Sequence, residues 1–123
     1  MIEIGVVSRS FPNLTNAEVA AFLSEGGFTS TELCFRNADA DYWVYNGRSD
    51  LSAMTDERSA SIVETYRSAG IEVPVLGVFT NLIEPDDEER DANLAYFARM
   101  MEIAAYNGIP IVATECGFRP GAR

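Results

Sequence analysis

The chain has 123 residues, 47% of them hydrophobic and 23% charged, the balance of a water-soluble globular domain with enough length to bury a core. Nineteen acidic residues face nine basic ones, all arginine, and the resulting charge of −10 with no arginine-rich stripe excludes a phosphate backbone as partner. There is no histidine, which removes imidazole metal ligation and the usual near-neutral proton shuttle.

No apolar run approaches the roughly 18 residues that span a bilayer. The opening "MIEIGVVSRSF" has no basic residue ahead of its short apolar run, so it does not read as a signal peptide. A cytoplasmic location is the expectation.

Residues 2 to 8, "IEIGVVS", are short, β-branched and closed by polar residues, which predicts a buried strand. "LTNAEV" follows. Thr15 is placed to cap a helix, Glu18 to reach back to the cap, and Leu14 and Val19 to staple the entry. That helix is expected to end at Glu25, with Gly26 and Gly27 as its exit.

A second strand is expected over 30 to 35, "STELCF", then a long connection over 36 to 54. Thr55 caps a second helix that Asp56 and Glu57 favour through the dipole, ending at Gly70. A third strand covers 72 to 79. The longest helix runs from about 86 to 107, with Leu94, Phe97, Met101 and Ala105, flanked by Ala98 and Ala104, as the apolar stripe for the core. Gly108 closes it, and "IPIVATE" is the fourth strand.

Three junctions share one form: "GGFTSTEL", "AGIEVPVL" and "NGIPIVAT" each give a glycine, an apolar residue and a strand. Gly27, Gly70 and Gly108 recur at about 40-residue intervals, as repeated β/α units with parallel strands require. The fold class is α/β, a parallel βαβαβαβ order within one domain spanning 1–123. An eight-unit barrel takes roughly 250 residues, so the chain accounts for half of a (β/α)8 TIM barrel.

In parallel α/β folds the reacting groups stand at the C-terminal ends of strands. Alternation sets Leu33 and Phe35 against the helices and points Glu32 and Cys34 into the barrel. A carboxylate there is costly unless it is paired or working, so Glu32 is either an ion-pair partner of Arg9 or a functional acid–base group. Glu115 follows the fourth strand on the face of Ile111 and Ala113. It suits a metal ligand, a general base or an acceptor for a substrate hydroxyl, and otherwise a solvated loop carboxylate.

Arg9, Arg36 and Arg119 each follow a strand and can grip phosphate or carboxylate, or serve as salt-bridge partners. The 36–54 connection exceeds the about 12–15 residues of plain loops, which favours a binding or lid role. Asn46–Gly47 suits a tight turn, and Tyr42, Trp43 and Tyr45 precede it, either packing the connection or stacking on a sugar ring. Asp39, Asp41 and Asp50 read as solvated. Cys34 and Cys116 read as reduced structural thiols, and without a histidine base Cys116 is no nucleophile.

Taken together, "IGVVSRSF", "GGFTSTEL" ending in Glu32 and Leu33, "GIEVPVLGVFTN" and "NGIPIVATECG" resemble the xylose isomerase-like barrel superfamily of sugar-phosphate isomerases and epimerases. The resemblance covers the whole chain. It implies a divalent metal (Mn²⁺, Mg²⁺, Co²⁺ or Zn²⁺) held mainly by the second half of the barrel and not by this chain alone. It also implies a sugar or sugar phosphate as the small-molecule partner. Glu32 and Glu115 would be the catalytic carboxylates, with Arg9, Arg36, Trp43, Tyr45 and Arg119 along the substrate wall. "TECGFRPGAR" then reads as a fourth strand and active-site loop, inactive without the remaining half. The zinc-dependent DNA-repair endonucleases of the same superfamily fit poorly with a charge of −10 and no histidine. The alternative is a non-catalytic α/β module that binds a sugar-like ligand or assembles as a dimer. Exposed strand edges and an uncovered inner face imply a cover, from a second copy or from the rest of a barrel.

Overall fold

The computed structural model describes residues 2–40, 48–115 and 117–119. Four parallel strands form one sheet in the order β1 (Gly5–Val7), β2 (Ser30–Leu33), β3 (Glu72–Val78) and β4 (Ile111–Thr114). The crossovers carry α1 (Asn16–Glu25), α2 (Asp56–Ser68) and α3 (Asp87–Tyr106). The expected α/β fold with a parallel βαβαβαβ order is therefore present.

Helix starts follow local chemistry. Thr15 accepts from the Glu18 backbone while the Glu18 carboxylate accepts from the Thr15 backbone N–H at 2.8 Å, a complete capping box. Thr55 caps α2, and Asp86 caps α3 ahead of Asp87, Glu88 and Glu89. The three repeated glycines all have positive φ (75°, 79° and 64° at Gly27, Gly70 and Gly108), so the recurring junction is a left-handed helix exit.

The strands are shorter than the apolar runs. Gly5 pairs with Ser30, the first residue of β2, so Ile2 and Ile4 lie outside the ladder and are exposed. β2 stops at Leu33 because the Cys34 N–H turns to the Ser8 hydroxyl, at 2.9 Å. β4 begins at Ile111, directly after Pro110, which has no N–H to give a ladder.

Between Ser30 and Glu32 the register to β3 shifts by one residue. Pro74 lies within this bulge, where a missing N–H is tolerated. The shift also explains why Val73 and Leu76, three apart, are both buried: the bulge absorbs the odd residue.

The core lies between the sheet and the helices. Leu33, Phe35, Leu76 and Val78 meet Val19, Leu23, Val63, Tyr66, Met100 and Ile103, all essentially inaccessible. The stripe expected on α3 is corrected here. Leu94, Met101, Ala98 and Ala105 are exposed; of the expected residues Ala104 is buried and Phe97 is half-buried against the core, while Asn93, Met100 and Ile103 supply the rest of the inward side. The helix is apolar on more than one side, and Asn93 rather than an apolar residue anchors its first inward turn.

On the other face of the sheet, Gly5, Val7, Glu32, Val75, Ile111 and Ala113 share one side by register and alternation. Ile111 there is 51% exposed. No helix among the described residues is long and apolar enough to cross a membrane.

Candidate functional site

The open face of the sheet carries a hollow of about 240 Å³ lined by Gly5, Val7, Ser30, Glu32, Pro74 and Val75 among others. Toward the C-terminal ends of the strands, Glu32, Cys34, Gly77 and Phe79 crowd together. A β-carbon on Gly77 would stand 2.5 Å from Glu32 Oε1, 2.8 Å from Cys34 Sγ and 2.9 Å from Phe79 Cε2. Only glycine leaves room for all three side chains. An isolated glycine inside "VLGVF" is the sequence signal of such a close approach, and Gly77 is not among the residues singled out from the sequence.

Arg9, just beyond β1, holds its guanidinium 4.1 Å from the centroid of the Phe79 ring. Among the described residues Arg9 makes no ion pair with Glu32, so the pairing weighed for Glu32 is not what occupies that carboxylate. Phe79 orients Arg9 without neutralising it.

Cys34 is buried, and its thiol is pushed up to about 12, first by burial and then by the Glu32 charge. The Arg9 backbone N–H and the Arg9 and Arg36 guanidiniums oppose that rise without overcoming it. Such a thiol is inert at neutral pH, as expected for a structural cysteine. Arg36 is half-buried and joins Arg9, Glu32 and Cys34 in this electrostatic cluster.

Glu115 follows β4 on the same side as Ala113, which is opposite Gly77 in the ladder, and it is exposed. Arg119 is exposed at a different hollow of about 490 Å³, with Leu82, Ile83, Glu84, Pro85 and Arg90. Trp43 and Tyr45, with Tyr42, Asp41, the Asn46–Gly47 turn and Cys116, lie outside the described residues.

Polar side chains that the sequence did not single out fasten the loops around this face. The Ser8 hydroxyl donates to the Cys34 carbonyl at 3.2 Å and accepts the Cys34 N–H, extending the β1–β2 ladder by a side chain. Asn37 Nδ2 donates to the Ser8 and Phe11 carbonyls. Asn81 takes both backbone groups of Phe118: the Phe118 N–H donates to Asn81 Oδ1 at 3.0 Å, and Asn81 Nδ2 donates to the Phe118 carbonyl at 2.8 Å. Asp39, expected to be solvated, accepts from the Asn16 backbone and side chain, each at 2.8 Å, and so ties the 36–54 connection to the start of α1. Asp50 accepts the Ser52 N–H, which holds its carboxyl below the usual range.

A metal is implied by the resemblance, but no group of three or more Cys, His, Asp or Glu side chains among the described residues is arranged to hold one. Glu32 and Glu115 alone do not make such a set.

A family model described as a xylose isomerase-like TIM barrel matches residues 20–123. Two solved structures share the fold. The probable 3-DHS dehydratase AsbF of Bacillus anthracis superposes with a TM-score of 0.60 at 13% identity, covering 92% of this chain and 38% of that one. A xylose isomerase domain protein of Planctomyces limnophilus gives a TM-score of 0.59 at 16% identity, covering 97% and 42%. The chain thus spans about two-fifths of the length of these structures. No curated protein matches the sequence.

Proposed function

Since the chain belongs to the xylose isomerase-like TIM barrel family, we propose that it forms the N-terminal wall of a barrel that isomerises or epimerises a small sugar or sugar phosphate. The observation that carries this reading is the cluster on the open face. Glu32 is given room by Gly77, it is not ion-paired to Arg9, and Arg9 is held over Phe79 beside it.

Glu32 is the first proton-moving carboxylate in this reading. An acidic C–H next to a carbonyl, or the hydroxyl beside it, gives its proton to a carboxylate oxygen. The same group can return it to the neighbouring atom. Glu115, on the face of Ala113, is the second carboxylate, placed to act from the β4 side. Arg9 and Arg36 supply positive charge at the strand ends and would hold a carbonyl, a hydroxyl or a phosphate oxygen. Arg119, beside Arg90 at its own hollow, suits the charged end of an extended substrate. Trp43 and Tyr45 would cover the sugar ring from the long connection.

A divalent metal (Mn²⁺, Mg²⁺, Co²⁺ or Zn²⁺) belongs to the complete barrel in this reading and would polarise the substrate carbonyl. The described residues do not form its ligand set, and no step is assigned through it. The open face is covered by the remaining strands of the barrel or by a second copy. The location is cytoplasmic, and neither nucleic acid nor membrane is a partner.

A second reading, a sugar-binding or self-assembling module without catalysis, is favoured by one observation. Among the described residues no group of three or more Cys, Asp or Glu side chains gathers where it could hold a metal.

The test is turnover of a panel of aldoses, ketoses and their phosphates by the intact protein, followed by NMR, for wild type, Glu32→Gln and Glu115→Gln. Each variant is expected to lose roughly 10²-fold or more in rate while melting at nearly the wild-type temperature. Full turnover by both variants would remove the acid–base assignment. Binding without turnover by the wild type would favour the second reading.

A further inference from the structure

Arg48 lies in the long connection after β2, and Phe118 lies in the loop after β4. A continuous series of buried and partly buried hydrogen bonds joins them. Arg48 Nη1 donates to Asn93 Oδ1 at 2.6 Å and stands 3.0 Å from Glu89 Oε2. Asn93, wholly buried on α3, donates through Nδ2 to the Asn81 carbonyl at 2.7 Å. Asn81, 3% exposed, grips both backbone groups of Phe118 and also donates to Glu84 Oε2 at 3.2 Å. Gly117 seals the join: its φ is +87°, and a β-carbon there would meet Asn81 Oδ1 and Ile83 Cγ1 at 2.7 Å each.

We infer that this relay couples Arg48, after β2, to the loop carrying Glu115 and Arg119, and that Asn93 and Asn81 are positioning residues for those two side chains. The physical reason is that a buried amide has both a donor and an acceptor to satisfy. Asn93 is fixed only while Arg48 supplies a donor and Asn81 supplies a carbonyl. Asn81 in turn sets the height of Phe118, one residue from Arg119 and three from Glu115. A displacement of Arg48 therefore reaches the β4 loop through side chains and not through the sheet. Two asparagines inside a helix start and a strand-end loop have no packing merit that leucine lacks, and a half-satisfied series would be worse than an apolar one. The positioning role rests on the function proposed above for Glu115 and Arg119; the coupling itself does not.

The experiment is backbone amide hydrogen exchange by NMR on the intact protein, with the Phe118 amide read as a ratio to the Leu76 amide in the core. That ratio cancels any uniform loss of stability. Asn81→Ala is expected to speed Phe118 exchange by at least about fivefold, the equivalent of one lost hydrogen bond. Asn93→Leu and Arg48→Met, which touch nothing at Phe118, are expected to raise the same ratio at least about twofold and to move the Gly117 and Phe118 amide resonances. Thr65→Ala, on the outer surface of α2, is expected to leave both unchanged. An unchanged ratio in both Asn93→Leu and Arg48→Met overturns the coupling, and an unchanged ratio in Asn81→Ala overturns the clamp. Glu115→Gln separates the two questions: full turnover with the Phe118 ratio intact removes the catalytic reading and leaves the coupling standing. If Asn93→Leu fails to fold, Asn93→Asp, which keeps the acceptor for Arg48 and loses the donor to Asn81, gives the same readout.

Discussion

Gly77 of β3 is packed directly against the Glu32 carboxylate of β2, with no space for even one methyl group between them. Gly77→Ala should therefore destabilise the chain by about 1–3 kcal/mol, since Cys34 and Phe79 close the other sides. In a Glu32→Ala background the penalty should shrink by at least about 0.5 kcal/mol, because one of the three obstructions has gone. Urea unfolding of the four proteins in this cycle measures it. Equal penalties in both backgrounds would mean that Glu32 does not rest on Gly77.

The alkaline limb of stability should carry the signature of Cys34. Its thiol ionises near 9 when exposed and at about 12 in the fold, so between these values the unfolded chain has released a proton that the folded chain keeps. The unfolded state then binds fewer protons, and stability falls as pH rises, by up to about 1.4 kcal/mol per pH unit from this group. Below pH 9 the contribution is fully present. Burial raises the Tyr66 phenol as well, with Asp39 adding to the rise, so it steepens the fall at still higher pH. Cys34→Ala should flatten the first part of this limb in denaturant titrations from pH 8 to 11; an unaltered slope would refute the burial of the thiol.

How much of this was legible beforehand depends on how local each cause is. Thr15 and Glu18 lie three residues apart and cap one helix, so the pattern contains its own explanation. The repeated helix-exit glycines are equally local. The position of Glu32 against Gly77 is not, because it depends on a bulge between β2 and β3 that shifts the pairing by one residue. The inward side of α3 was misread for another reason. Met100 and Met101 are adjacent and equally apolar, and spacing alone cannot choose between two apolar faces. Asn93 decides it, since its buried amide serves loops that are distant in sequence.

That correction has its own test. Met100→Ala should cost about 2–5 kcal/mol, as for a fully buried side chain. Met101→Ala, at a residue 48% exposed, should stay within about 0.5 kcal/mol in this chain. Parallel denaturation curves decide the matter, and a reversed ranking would restore the original stripe.

Tyr66 reaches across from α2 to α1 and donates to Asn16 Oδ1 at 2.9 Å, both residues being almost wholly buried. Tyr66→Phe should lower stability by about 1–3 kcal/mol, because it strands that oxygen without disturbing the packing of the ring. Asn16→Ala and the double variant complete the cycle. If the two losses simply add, the bond contributes nothing.

The neighbour order β1-β2-β3-β4 bears on how the protein is made. Each strand after the first pairs with the one synthesised just before it, so each new crossover closes only about 25 to 40 residues of chain, and loop-closure entropy grows slowly at that scale. Parallel sheets are slow to fold when their partners are distant in sequence, and none here is. The sheet can lengthen at one edge as the polypeptide emerges from the ribosome, each helix covering its strands before the next unit arrives. Glu32 then meets Gly77 only after β3 has docked, so the candidate site takes shape late in a process that begins at Gly5.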